Sequence, residues 1–135
     1  MIDTTRVSEI MTKDVLLLDA DDPIREAEKT FRNHFLRHAP VMSDGELVGM
    51  LSIVDLNNRQ ESNEEAEGDP HFITARVEQL MTPDPVSIQS DSTIREVATL
   101  FMENEFHAIP VLEDDRIVGI ISTTDIIKFF LESYD

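Results

Sequence analysis

The apolar positions along this chain change period several times, and they do so in the same order twice. Residues 15–18 (Val-Leu-Leu-Leu) form an apolar run of strand length. Ile24, Ala27, Phe31 and Phe35 then recur at near-helical spacing, introduced by Asp22 as the expected N-cap and Pro23 at the first helical position. A strand over 39–42, a hairpin turn at Ser43-Asp44-Gly45-Glu46 and a return strand over 47–51 follow, and a helix from 52 to 60 closes the series. The second pass opens with a strand over 86–88. Its helix carries Ile94, Val97, Ala98, Phe101 and Met102 behind the capping arrangement Ser92-Thr93 with Glu96. Strands over 108–112 and 117–121 flank a turn at Glu113-Asp114-Asp115, and a helix over 122–133 ends the pass.

Sliding the sequence against itself by about 70 residues aligns the two passes without a gap, with about 18 identities in about 65 positions. Val7, Met11 and Thr12 fall on Val77, Met81 and Thr82; Ile24-Arg25-Glu26 falls on Ile94-Arg95-Glu96. Pro40-Val41 meets Pro110-Val111, and Val48-Gly49 with Ser52 and Asp55 meets Val118-Gly119 with Ser122 and Asp125. The matches fall at turns, caps and core positions, which identifies a duplication. Residues 1–60 are repeat 1, 71–135 are repeat 2, and the polar, acidic stretch 61–70 reads as a solvated linker. The fold class is α+β, two β-α-β-β-α repeats. A half of about 60 residues buries too little surface to stand alone, so the halves are expected to pack sheet to sheet about a pseudo-twofold axis, with paired clefts between them.

Composition narrows the chemistry. Hydrophobic residues make up 41% of 135, enough for a core. No apolar run reaches the roughly 18 residues that span a bilayer, and the start lacks the layout of a signal peptide, so a soluble, cytoplasmic protein without a membrane partner is expected. There is no cysteine, which removes disulfides, thiolate nucleophiles and Cys-ligated zinc. With 28 Asp and Glu against 11 Lys and Arg the formal net charge is −17, which disfavours nucleic acid through phosphate repulsion. The acids are spread along the chain and lysine occurs only at Lys13, Lys29 and Lys128. That pattern fits a surface adapted to high salt, as in a halophilic source, better than one acidic docking face.

The residues with the most chemistry sit where the last strand of each repeat meets its closing helix, as Gly-x-x-Ser-x-x-Asp. Gly49 and Gly119 allow backbone or ligand to come close. Ser52 and Ser122 stand at helix N-cap positions, beside free amides and the positive end of the helix dipole, which favours phosphate. Asp55 and Asp125, in the first helical turn, can accept hydrogen bonds from a ribose diol. The same Ser-x-x-Asp is equally a capping box, which needs no ligand.

Val-x-x-Ile/Leu-Met-Thr opening each half, Pro-Val on the middle strand and the Gly-x-x-Ser-x-x-Asp junction together resemble tandem CBS domains, over 7–131. The resemblance implies a regulatory Bateman module rather than an enzyme. It would require no cofactor, bind AMP, ATP or S-adenosylmethionine, and often dimerise into a homodimer that signals to a regulated protein by conformational shift. It also implies that adenine lies against the first strand of a repeat, its edge read by backbone near Val15 and Leu16 or Val86 and Ser87, with Pro40 or Pro110 as apolar walls. Arg37 and His107, three residues before those prolines, would point towards phosphate. Thr123 and Thr124 give the second junction hydroxyls where the first has Ile53 and Val54, so the Asp125 site is expected to suit a phosphate better. The alternative function is a scaffold that dimerises or docks without ligand.

Other constellations are weaker. His34 and His38 could ligate a metal only if one helix ran through both, and no third ligand is evident, so no metal site is assigned. No nucleophile–base pair or Gly-rich phosphate loop can be assembled. The closing helix of repeat 2 carries Phe129-Phe130-Leu131 where repeat 1 has Arg59-Gln60-Glu61. Those aromatics pack either on the N-terminal segment around Ile2 and Val7 or on a dimer or partner surface.

Overall fold

The computed structural model describes residues 4–62 and 75–133. The elements run helix α1 (Val7–Ile10), strand β1 (Leu18–Asp19), helix α2 (Ile24–His34), strands β2 (His38–Ser43) and β3 (Glu46–Ser52) and helix α3 (Ile53–Ser62). After one 3-10 turn (Val77–Gln79) come strands β4 (Thr82–Pro83) and β5 (Ile88–Gln89), helix α4 (Ile94–Glu103), strands β6 (Ala108–Glu113) and β7 (Arg116–Ser122), and helix α5 (Thr123–Ser133). Each repeat is thus β-α-β-β-α, in the α+β class read from the sequence. The acidic linker predicted over 61–70 lies, from residue 63 onward, outside the described residues.

The compact units in space cut across the division of the chain into repeats. One unit is contiguous, residues 16–85; the other joins the N-terminal segment up to residue 15 to the chain from residue 86 onward. The opening segment of each repeat therefore belongs with the core of the other.

In the contiguous unit the sheet order is β1-β2-β3-β4, with β1 parallel to β2 and the remaining pairs antiparallel. Strand β4, from the opening of repeat 2, adds to the edge of β3 at Gly49↔Pro83 and Met50↔Thr82. The core is Leu18, Ile24, Phe31, Val41, Leu51 and Leu56, joined by Val77 from the same opening segment. That segment also supplies the first amide of α2 with an acceptor, Ile24 N–H to the Ala75 carbonyl at 3.0 Å. First-turn amides have no partner within their own helix, so this contact does the work of a cap.

The second unit repeats the plan. Its sheet is β5-β6-β7, and Thr12 pairs with Ile120 in both directions, at 2.8 and 3.0 Å. Val7 is fully buried among Ile88, Ile94, Ile109, Val111, Ile121 and Ile126. Ile94 N–H donates to the Thr5 carbonyl at 3.2 Å, and Arg6 Nη1 to the Asp91 carbonyl at 3.0 Å. Phe129 and Phe130 are half-buried against the cluster that contains Val7, in accord with the intramolecular alternative, while Leu131 beside them is 67% exposed.

Both hairpins have two-residue loops with positive φ at each central position, Asp44 (49°) and Gly45 (80°) in one, Asp114 (51°) and Asp115 (62°) in the other. This is the type I′ turn whose twist matches the strands, as Asp-Gly at 44–45 predicts.

Four expectations need correction. The first strands are only Leu18–Asp19 and Ile88–Gln89. One register step before Leu18↔Val41 would set Leu17 beside Pro40, and in repeat 2 Ser87 beside Pro110; proline has no N–H to continue the ladder. The N-cap of α2 is Pro23, and the Asp22 carboxylate instead accepts from Asp19 N–H at 2.9 Å. Phe35 does not continue the apolar face of α2. It is the left-handed C-cap (φ 54°) and 91% exposed. Met102 likewise points outward at 80% exposure.

Candidate functional site

At the end of β3 the chain turns directly into α3, and Ser52 and Asp55 clasp each other across the turn. Ser52 N–H donates to Asp55 Oδ2 at 3.0 Å, and Asp55 N–H donates to Ser52 Oγ at 3.1 Å. In the other unit Ser122 and Asp125 do the same at 2.9 and 3.1 Å. These are complete reciprocal capping boxes, and all four residues are half-buried. Each box uses one carboxylate oxygen. Among the described residues Oδ1 of Asp55 and of Asp125 has no hydrogen-bond partner, and each serine hydroxyl keeps its proton to donate.

The backbone before the middle strand comes to the same place. Ile53 N–H donates to the Arg37 carbonyl at 2.8 Å, and Thr123 N–H to the His107 carbonyl at 3.0 Å. Arg37 and His107 thus stand at the starts of α3 and α5 with exposed side chains, and ladder pairs His38↔Ser52 and Ala108↔Ser122 fix the register. Thr124 is exposed on the first turn of α5, where α3 has Val54. Pro40 and Pro110 are buried in their strands.

Val15, Leu16 and Ser87 are half-buried and Val86 is exposed. Their backbone groups make no hydrogen bond to another described residue. The prolines are the cause for Leu16 and Val86, since the ladder that would have used them stops one step away. Leu16, Arg37, Pro40, Ser52 and Asp55 belong to the contiguous unit. Val15, Val86, Ser87, His107, Pro110, Ser122, Thr124 and Asp125 belong to the other.

The glycines of the junction motif have a partner that sequence reasoning missed. A β carbon on Gly49 would collide with Met81 Sδ and lie 2.9 Å from its Cγ and 3.0 Å from the Thr82 carbonyl oxygen. On Gly119 it would meet Met11 and the Thr12 carbonyl in the same way. Backbone and a methionine, rather than a ligand, occupy that approach. The signal was available, since Met-Thr occurs once in each repeat, at the same register as the glycine does.

His34 ends α2 and His38 lies in β2, so no helix carries both. Among the described residues no group of three side chains is arranged to hold a metal ion. No helix among them is long and apolar enough to cross a membrane.

Two β-α-β-β-α repeats, each finished by a glycine, a serine and an aspartate at a strand–helix junction, define a class of paired-repeat modules. The CBS-domain family model matches residues 7–61 and again 77–132, and the chain belongs to the CBS-domain family. The CBS domain-containing protein MJ0729 of Methanocaldococcus jannaschii is 30% identical over 129 residues, 93% of this chain and 94% of that protein. Protein MJ1225 of the same organism is 27% identical over 130 residues, covering 92% of this chain and 46% of the relative, so the chain spans about half that relative's length. Among solved structures, the CBS domain pair of protein MJ0100, in complex with 5′-methylthioadenosine and S-adenosyl-L-methionine, superposes with a TM-score of 0.82 at 25% identity. The match covers 96% of this chain and 98% of that one.

Proposed function

We propose that this chain is a regulatory module that binds an adenosine-type ligand (AMP, ATP or S-adenosylmethionine) and hands the bound state on to a partner protein in the cytoplasm. The observation that carries this reading is the spare Oδ1 of Asp125 beside the Ser122 hydroxyl at the start of α5. A carboxylate oxygen with no partner suits a ribose diol, and the first-turn amides with the Thr124 hydroxyl suit a phosphate. The unpaired backbone of Val86 and Ser87 offers the donor and acceptor pattern that reads an adenine edge. The likeness to a CBS pair solved with two adenosyl compounds supports the same chemistry. Ser52, Asp55, Leu16, Pro40 and Arg37 would form the weaker counterpart, because Ile53 and Val54 replace the threonines. Regulation would work by population shift: the ligand stabilises one conformation, and the partner binds that conformation better. No catalysis is assigned.

A second reading, a docking scaffold without ligand, has one observation in its favour: the capping boxes are complete on their own. Thermal shift separates the two. S-adenosylmethionine, 5′-methylthioadenosine, AMP and ATP are each added at low and high salt. A binder at about 100 times its Kd adds about 2.7 kcal/mol, a shift of several degrees. Asp125→Ala removes a cap as well as a ligand group, so the quantity compared is the ligand-induced increment and not the melting temperature. No increment from any of the four compounds in either salt leaves only the scaffold.

A further inference from the structure

Sulfur in this chain is confined to methionine, six thioethers and no thiol. Oxidation by a peroxide therefore has no cysteine to fall on and is directed to the methionines. Two of them sit where an added oxygen has consequences. Met11 and Met81 occupy equivalent places in the two repeats, half-buried against the cores that hold Val7 and Val77. Each sulfur rests on a glycine, Met11 on Gly119 and Met81 on Gly49, and the carbonyl oxygen of the following threonine lies against the same glycine. The other methionines are placed differently. Met102 is 80% exposed on α4, and Met42 and Met50 lie within the strands β2 and β3.

The residue after each of the two methionines is the one that fastens its opening segment to the sheet. Thr12 exchanges both backbone hydrogen bonds with Ile120 in β7, and Thr82 pairs with Met50 in β3. These attachments are short, a single bridge in one unit and a two-residue strand in the other.

We propose that Met11 and Met81 are sites of oxidation by hydrogen peroxide, and that their sulfoxides release the opening segments from the sheet edges. The thioether sulfur attacks one peroxide oxygen; the S–O bond forms as the O–O bond breaks, and the sulfur gives up two electrons. The other oxygen departs as hydroxide, takes the proton of the transferred one and becomes water. On the glycine side there is no room for the product, since even a β carbon would overlap the sulfur. The new oxygen is an acceptor. It either faces the Thr12 or Thr82 carbonyl, acceptor against acceptor, or carries the side chain off the glycine and forfeits that packing. Both outcomes weaken the threonine's hold. The inference is independent of the proposed ligand groups, because neither the methionines nor their glycines are among them.

The whole chain is treated with hydrogen peroxide and digested with trypsin, which puts Met11, Met81 and Met102 on separate peptides, residues 7–13, 77–95 and 96–116. Met11 and Met81 should each gain an oxygen. Hydrogen exchange at the Thr12 and Ile120 amides should then quicken by about tenfold or more, and the melting temperature should fall by several degrees. Met11→Leu/Met81→Leu keeps apolar side chains of similar volume without the sulfur, and its exchange and melt should not respond to peroxide. The proposal is overturned if Met102 is fully oxidised while Met11 and Met81 are not, or if the oxidised wild type exchanges and melts as before. An equal response in the double leucine variant, which keeps Met42, Met50 and Met102, overturns it too.

Discussion

Met11 lies directly over Gly119, so close that a single added methyl on the glycine would overlap the thioether. Met81 and Gly49 repeat the relationship in the other unit. The two residues sit far apart in sequence, yet each is part of a motif that occurs once per repeat. Gly119→Ala should therefore destabilise the protein by about 1–3 kcal/mol through overpacking. Adding Met11→Ala should return part of that loss, so a double-mutant cycle in urea should give a favourable coupling. Additive losses would mean that the methionine is not the obstacle.

The two hairpin turns differ at one position under identical geometry. Gly45 and Asp115 both hold positive φ as the second loop residue, and only glycine does so without steric cost. Asp115→Gly should stabilise the chain by about 0.5–1 kcal/mol, and Gly45→Asp should cost a similar amount. Chemical denaturation of the pair checks both signs, and a loss on Asp115→Gly would show that the aspartate side chain contributes more than its backbone strain removes.

The capping boxes make a prediction independent of any ligand. Ser122→Ala leaves the Asp125 amide without its acceptor and should lower stability by about 0.5–2 kcal/mol, a few degrees in melting temperature. Ser52→Ala should behave alike, because the geometry differs by no more than 0.1 Å. A melt unchanged by either substitution would mean that the boxes do not hold the helix starts.

Charge should govern stability as a function of salt. A chain of net charge −17 repels itself in the folded state, and its Lys29–Glu26 ion pair joins two well-exposed side chains that add little. The melting temperature should rise with KCl, most steeply at the dilute end, where the Debye length falls from about 30 Å at 0.01 M to about 10 Å at 0.1 M. A flat profile would show that the carboxylates are spaced widely enough not to matter.

Residues 16–85 hold a whole core, including Val77 and strand β4. A fragment of that span should unfold cooperatively when followed by circular dichroism. One of residues 1–62 lacks the residues that cover β3 and should give no sharp transition. Equal transitions in both would show that the opening segment of repeat 2 is dispensable.

The hairpin turns and the serine–aspartate junctions were legible because each is local: a type I′ turn favours Asp and Gly, and a capping box demands a fixed spacing. The duplication was legible because those local signals recur in the same order. The limits were set by non-local partners. Nothing within 15–18 reveals that Pro40 ends its ladder, so the apolar run predicts a strand that starts three residues too early. Phe35 keeps the helical period with Phe31, but a left-handed cap turns it away from the core, and periodicity does not carry that information. The exchange of opening segments was hidden for the same reason. Val7 and Val77 are apolar whichever core receives them.

That exchange has a consequence for how the molecule is made. On a ribosome, residues 16–85 emerge as an uninterrupted stretch and can close while translation continues. Residues 4–15 emerge earlier still, but Val7 and Thr12 have nothing to bind until the polypeptide beyond residue 86 follows. A segment synthesised before residues 16–85 thus finds its place after they do, and bulk fused near it would burden the late-forming half alone.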